Sequence, residues 1–146
     1  MGISQKCEYA VRALLELAKR PGQSPMTSGE IAARQGIPSQ FLANILNELK
    51  TAGLVVARRG VRGGYRLVCS PELLSVGRVV RLVDGPLDPV LCTRGVHQLD
   101  CSLKDRCSLP QLWQEAKDAV EAVYDRVTFA ELARRDRLQD GRLPIE

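Results

Sequence analysis

A short helical stretch, one glycine and a longer helical stretch stand directly ahead of two apolar runs joined by a glycine-rich basic tip. Few folds accommodate that order. Thr27–Ser28–Gly29–Glu30 has the form of a capping box, in which hydroxyl and carboxylate satisfy the free N–H groups of a helix start. The helix it opens runs through Ile31 and Ala32 to Gln35, and Gly36 makes a turn. A second helix is predicted from about Ser39 to Ala52, ending at Gly53, with Leu42, Ile45, Leu46 and Leu49 at three-four spacing on its buried side. This is a helix-turn-helix. Leu54–Val55–Val56–Ala57 and Tyr65–Arg66–Leu67–Val68 flank the tip Arg58–Arg59–Gly60–Val61–Arg62–Gly63–Gly64, which predicts a β-hairpin. In that position a hairpin is a wing. The expected fold is mainly α with a small β-hairpin wing.

The flanking segments extend the pattern. Residues 4–19 predict an amphipathic helix, capped by Ser4, with Ala10, Leu14, Leu17 and Ala18 on one face, and stopped by Pro21, Gly22 and Pro25. Cys7 falls on that stripe and reads as core, and Cys69, at a strand end, reads as structural. Residues 73–84 predict a helix that Gly85, Pro86 and Pro89 break. Ser108–Leu109–Pro110–Gln111 resembles a second capping box, opening a helix to about Asp125. Along it Leu109, Leu112, Ala116, Ala119 and Val123 form a seam flanked by Trp113, Val120 and Val127, too broad for a small monomer to hide. A long C-terminal dimerisation helix is therefore expected. The organisation follows as residues 1–72, a winged helix-turn-helix; 73–107, a connecting helix and cysteine-rich loop; 108–133, the dimerisation helix and a C-terminal segment; and 134–146, a charged flexible tail.

Composition excludes several classes. No run approaches the ~18 apolar residues of a membrane span, and Lys6, Glu8 and Arg12 interrupt any signal-peptide layout, so the chain is expected in the cytoplasm. Aromatic residues are 4% of the chain, too few for a base-stacking platform. The net charge of +4 is compatible with nucleic acid, but its placement says more. Five basic residues, Lys50, Arg58, Arg59, Arg62 and Arg66, fall where no Asp or Glu occurs between positions 49 and 71. A solvated surface mixes signs, so a one-sign hairpin tip implies an anionic partner. Gly60, Gly63 and Gly64 let the backbone turn and approach a phosphate. Ser39, Gln40, Asn44 and Asn47 project from the second helix away from its apolar side and can bond base edges. Taken one at a time, such residues are more often a solvated face. With Thr27 and Ser28 at the first helix start, and Gly63 and Tyr65 in the wing, they complete the candidate contacts to double-stranded DNA.

Cys92, Cys101 and Cys107 are separated by eight and five residues in a polar segment, a poor setting for small buried hydrophobes. Three soft thiolates suit an iron–sulfur centre, and a helix start just after Cys107 favours its thiolate. Structural zinc on Cys92, His97, Cys101 and Cys107 is the main rival, although no Cys-x-x-Cys pair announces it. An enzyme with a small-molecule substrate is not expected: one His and no Cys-x-x-Cys leave no catalytic constellation.

The run Gly36–Ile37–Pro38–Ser39–Gln40–Phe41–Leu42, then Ala52–Gly53–Leu54–Val55, then Arg59–Gly60–Val61–Arg62–Gly63–Gly64–Tyr65 resembles the Rrf-type family of transcription regulators. Tyr9–Ala10–Val11–Arg12–Ala13–Leu14 and the cysteine segment before Leu112–Trp113 also match, so the resemblance covers about residues 3–133. It implies a homodimeric, sequence-specific DNA-binding regulator, acting as a repressor on a pseudo-palindromic operator. It also implies that Arg59 reaches the minor groove and that Ser39 and Gln40 touch DNA. Ala43 stands where IscR-like members carry an acidic residue, so their promoter sequence does not transfer.

The resemblance implies an iron–sulfur cluster on Cys92, Cys101 and Cys107, with 4Fe-4S preferred and 2Fe-2S the alternative, sensing iron, nitric oxide or redox state. Three cysteines leave a four-iron cluster one ligand short. In the NsrR-like branch a first-helix carboxylate of the partner subunit completes the site, and Glu8 holds the matching position. The IscR-like His would fall at Pro110, which closes that route, and His97 in the loop is the remaining substitute. The cysteine spacing is more like that of RirA-like members. A cluster-free regulator of the same family, responding through thiol oxidation, is a further alternative.

Overall fold

The computed structural model describes residues 2–93, 101–103 and 106–140. Six helices and one antiparallel hairpin make up the described chain. Helix α1 (Gln5–Ala18) is the centre of the packing, touching four of the helices that follow and the second strand of the hairpin. Its start is fixed twice. The Ser4 hydroxyl accepts from the Cys7 N–H at 3.0 Å, and the Ser4 N–H donates at 2.8 Å to Asp84, at the end of a later helix. Cys7, Ala10, Ala13, Leu14 and Leu17 are buried on one face, as the spacing predicts, but Glu16 is buried with them.

Helices α2 (Ser28–Gln35) and α3 (Ser39–Thr51) form the helix-turn-helix. The capping box is real: Thr27 Oγ1 accepts from the Glu30 N–H at 3.2 Å, and the Glu30 carboxylate accepts from the Thr27 N–H at 2.8 Å. The backbone bond from Thr27 is the main cause holding the Glu30 carboxyl below the ordinary carboxylate range. Gly36 adopts φ +62°, left-handed, which lets the chain reverse into α3 within a few residues. Leu42, Ile45, Leu46 and Leu49 are buried, each at most 3% exposed.

The wing is β1 (Val55–Arg58) against β2 (Gly64–Leu67), with Val55 opposite Leu67 and Arg58 opposite Gly64. After a short turn at Pro71–Leu73 comes α4 (Val76–Asp84), so the helix predicted from residue 73 starts later, where Ser75 caps it by accepting from the Arg78 N–H at 3.3 Å. Helix α5 (Leu109–Arg126) docks on α4 through Arg81 and Asp125, whose guanidinium and carboxylate lie 2.5 Å apart. Gly77 permits that approach, since a Cβ there would meet the Asp125 carboxylate at 2.0 Å.

Two expectations require adjustment. Ser108 makes no capping bond and has helical backbone angles, so the second capping box does not form; Pro110, lacking an N–H, leaves one fewer donor for a cap to satisfy. The segment from 134, expected as a loose tail, continues helix α6 (Phe129–Asp140) as far as Asp140, while 141–146 lie outside the described residues. Phe129, fully buried, and Ala133, 1% exposed, anchor α6, and the Phe129 N–H donates to the Leu74 carbonyl at 2.9 Å. Among the described residues no helix is long and apolar enough to cross a membrane.

Candidate nucleic-acid interface

The outward side of α3 carries Ser39, Gln40, Ala43, Asn44 and Asn47, all exposed. Gln40, Asn44 and Asn47 fall at i, i+4 and i+7, one stripe on a helix. None of the predicted side chains on this face has a hydrogen-bond partner among the described residues, which leaves amides and a hydroxyl available to a ligand. Glu48, the acidic residue beside them, is drawn away by Lys6 of α1 at 2.9 Å. Lys50 is exposed at the end of the same helix, without an ion-pair partner among the described residues.

The wing extends this surface. Arg58, Arg59 and Arg62 are exposed and have no acidic partner among the described residues. Arg66, also exposed, donates to the Leu67 carbonyl at 3.4 Å and has no acidic partner among the described residues. Gly63 and Gly64 have a further reason beyond the tight turn that the sequence suggests. Gly63 packs so closely that a Cβ would lie 2.2 Å from the Arg58 carbonyl oxygen. Gly64 has φ +139°, and a Cβ there would lie 2.6 Å from the Met26 backbone. The chain just before α2 pairs with β2 as a third edge: the Met26 N–H donates to the Tyr65 carbonyl at 2.9 Å, and the Tyr65 N–H to the Met26 carbonyl at 2.8 Å. Gly63 thus closes the tip of the wing, Gly64 seats the wing on the chain entering the helix-turn-helix, and Tyr65, half-buried against the core, helps hold it there. Thr27 is engaged in its capping box, and Ser28 beside it is exposed. Met26 escaped the sequence reading because nothing local marks a residue bonded to a strand far along the chain. The paired glycines before Tyr65 were the available signal.

The cysteine segment is organised differently. Cys92 and Cys101 are exposed and Cys107 is half-buried just ahead of α5. Among the described residues no group of three or more His, Cys, Asp or Glu side chains stands close enough to hold a metal ion. His97 lies outside the described residues. The donor chemistry, three accessible thiols, fits a soft metal centre. Glu8 is on the exposed side of α1, its carboxylate 2.6 Å from Arg12. Cys7 is a poor ligand candidate: burial, then the nearby Asp84 carboxylate, raise its thiol pKa to about 11.

Helix α5 has no buried residue. Val120, Tyr124 and Val127 lean on the core, while Leu109, Leu112 and Val123 are 50%, 51% and 46% exposed on the outward seam.

Known proteins share this arrangement. Residues 3–135 match the model of the Rrf2 family, described as an iron-dependent transcriptional regulator. An rrf2-like HTH-type transcriptional regulator of Rhodobacter capsulatus is 37% identical over 136 residues, covering 89% of this chain and 91% of that protein. The structure of CymR, the global cysteine regulator of B. subtilis, superposes with a TM-score of 0.77 at 32% identity, covering 92% of this chain and 98% of that one. IscR of T. potens superposes with a TM-score of 0.75 at 28% identity, covering 100% of this chain and 94% of that one.

Proposed function

Because this chain belongs to the Rrf2 family of DNA-binding helix-turn-helix transcriptional regulators, and is not an enzyme, we propose that it reads duplex DNA through α3 and the wing under control of its cysteine segment. The observation that carries the reading is the exposed cationic wing, Arg58, Arg59 and Arg62, without an acidic partner among the described residues, beside the polar stripe of α3. Cationic side chains neutralise phosphates, and amides at the groove-facing side of a helix discriminate base edges. Two copies joined along the α5 seam would present two reading heads to a pseudo-palindromic site in the cytoplasm.

The finer proposal concerns the signal. Cys92, Cys101 and Cys107 hold an iron–sulfur cluster, with Glu8 of α1 supplied by the second copy as the fourth ligand. The family's iron-dependent character supports this, as does the soft donor set. A bound cluster supplies a redox- and iron-sensitive tie between the cysteine segment and its surroundings. The residues of the chain do the rest: α5 carries the segment, and Asp125 and Arg81 fix α5 to α4.

A second reading is favoured by a specific observation. The exposed Cys92 and Cys101, with no converged donor group among the described residues, also suit direct thiol oxidation without metal. It is the reading that the likeness to a cysteine regulator supports.

The DNA proposal is tested by titrating a duplex, enriched from a random pool by the wild-type protein, with wing variants. Arg62→Ala is expected to weaken binding to all sequences and lower the salt slope by about 1. Arg59→Ala is expected to reduce the preference for the enriched duplex as well, because a groove-inserted arginine reads width. Binding that survives both changes intact contradicts the assignment.

A further inference from the structure

Glu16 stands on the apolar face of α1, 2% exposed. A buried carboxylate persists only where partners replace its water. Its Oε1 accepts from Gln35 Nε2 at 2.6 Å and from Lys19 Nζ at 3.0 Å. Arg34 Nη1 lies 3.7 Å from Oε2, which is buried and has no hydrogen bond. Lys19 in turn donates to Asp136 of α6 at 3.1 Å. Burial works against the charge on Lys19, but the bonds to Glu16 and Asp136 outweigh it and raise its pKa. The charges alternate along Arg34, Glu16, Lys19 and Asp136, and the row crosses α2, α1 and α6.

The location gives the row a consequence. Gln35 is the last residue of α2, and Gly36, the left-handed residue that turns the chain into α3, follows it. Fixing Gln35 fixes the pivot between the two helices of the reading head. Asp136 belongs to the C-terminal helix that follows α5. A bond chain therefore runs from the C-terminal helices to the pivot. An apolar residue at 16 would fill the same space without reaching either neighbour.

We propose that Glu16 is a positioning residue which, through Lys19 and Asp136, couples α6 to the turn of the helix-turn-helix and so sets how α3 is presented to DNA. The proposal rests on the DNA-binding reading and adds a route by which the C-terminal half acts on it.

The test uses full-length protein, the enriched duplex and a scrambled duplex of equal composition. Glu16→Gln keeps the shape and removes the charge; Asp136→Asn, half-exposed at the far end of the row, leaves the core and the DNA-facing residues untouched. Each is expected to lower the preference for the enriched over the scrambled duplex, by about fivefold for Glu16→Gln and less for Asp136→Asn. The double variant should be no worse than Glu16→Gln, because both changes cut one row. Salt dependence on scrambled DNA should not move, since no phosphate contact is touched. Should Glu16→Gln fail to fold, Asp136→Asn decides alone. Wild-type preference retained by the folded variants, or losses that simply add, overturns the coupling. A wild-type chain with no affinity for either duplex overturns the DNA-binding reading instead.

Discussion

The reading head and the C-terminal half are built on opposite terms. The head is sealed by apolar burial: α1, α2, α3 and β2 bury Leu14, Leu17, Ile31, Leu42, Leu46 and Leu67 to 2% exposure or less, in a core that α4 and α6 also enter. Helix α5 has no fully buried residue: Val120 and Tyr124 are only partly covered against the core, and its leucines stay half exposed. Two ion pairs add to that partial packing: Arg81 with Asp125, and Lys117 with Asp88 at 2.7 Å. An exposed leucine seam of this kind is what a second copy would cover on the proposed assembly, whereas the core around α1 is sealed within one chain. On the proposed function the difference has a use: a part that reads DNA has to keep its shape, while a part that receives a signal has to be able to change its contacts.

The comparison breaks most readily at paired leucines. Leu46→Ala, in the sealed core, is expected to destabilise the fold by about 3 kcal/mol. Leu112→Ala, on the α5 seam, should change the stability of the single chain by less than about 0.5 kcal/mol while weakening self-association. Thermal melts and sedimentation at several concentrations separate the two effects. Similar losses from both, with no change in assembly, would erase the distinction.

The seat of the wing gives a smaller effect. Gly64→Ala forces a Cβ into the Met26 backbone at a left-handed φ, and a cost of about 2 kcal/mol is expected, with weaker DNA binding. Gly60→Ala, where φ is +113° but nothing lies within 4 Å, should cost less. Equal costs would mean that the close approach to Met26 does not matter.

The smallest effect sharpens the account of α6. Bonds from Arg134 and then Arg135 hold the Glu131 carboxyl down to about 2, against an ordinary 4.5. A carboxyl depressed on folding adds stability above its unfolded value and loses it as pH falls through the folded one. Its contribution is therefore complete above pH 4.5 and gone near pH 2. Glu131→Gln should melt slightly below wild type at neutral pH, and the gap should close through that window. A gap that stays constant down to pH 2 would assign the effect to something other than this charge.

Much of the head was legible because its signals are local. Caps, glycine stops and three-four spacing placed α1, α2, α3 and the hairpin, and the one-sign charge from Lys50 to Arg66 marked a surface that the fold leaves unpaired. What was not legible depends on contacts across the chain. Glu16 reads as a polar gap in an apolar stripe until Gln35 and Lys19 are seen beside it. The role of Gly64 requires Met26, and α6 is so charged that only the burial of Phe129 and Ala133 reveals why it packs. The failed capping box at Ser108 shows the converse: a correct motif forms no cap when the chain enters the helix already in helical backbone angles. Ser39, Gln40, Asn44 and Asn47 lie on one accessible face, while the cysteine donors do not converge among the described residues.

The central claim is that the cysteine segment governs what the reading head does. It is tested most directly by measuring affinity for the enriched duplex with anaerobically purified protein, before and after iron is removed by a chelator. Wild-type affinity is predicted to change by at least about fivefold, with Cys101→Ala indifferent to the chelator. Iron-bearing protein with the same affinity before and after chelation would contradict the account, as would protein isolated without iron that binds with full strength in both oxidised and reduced form.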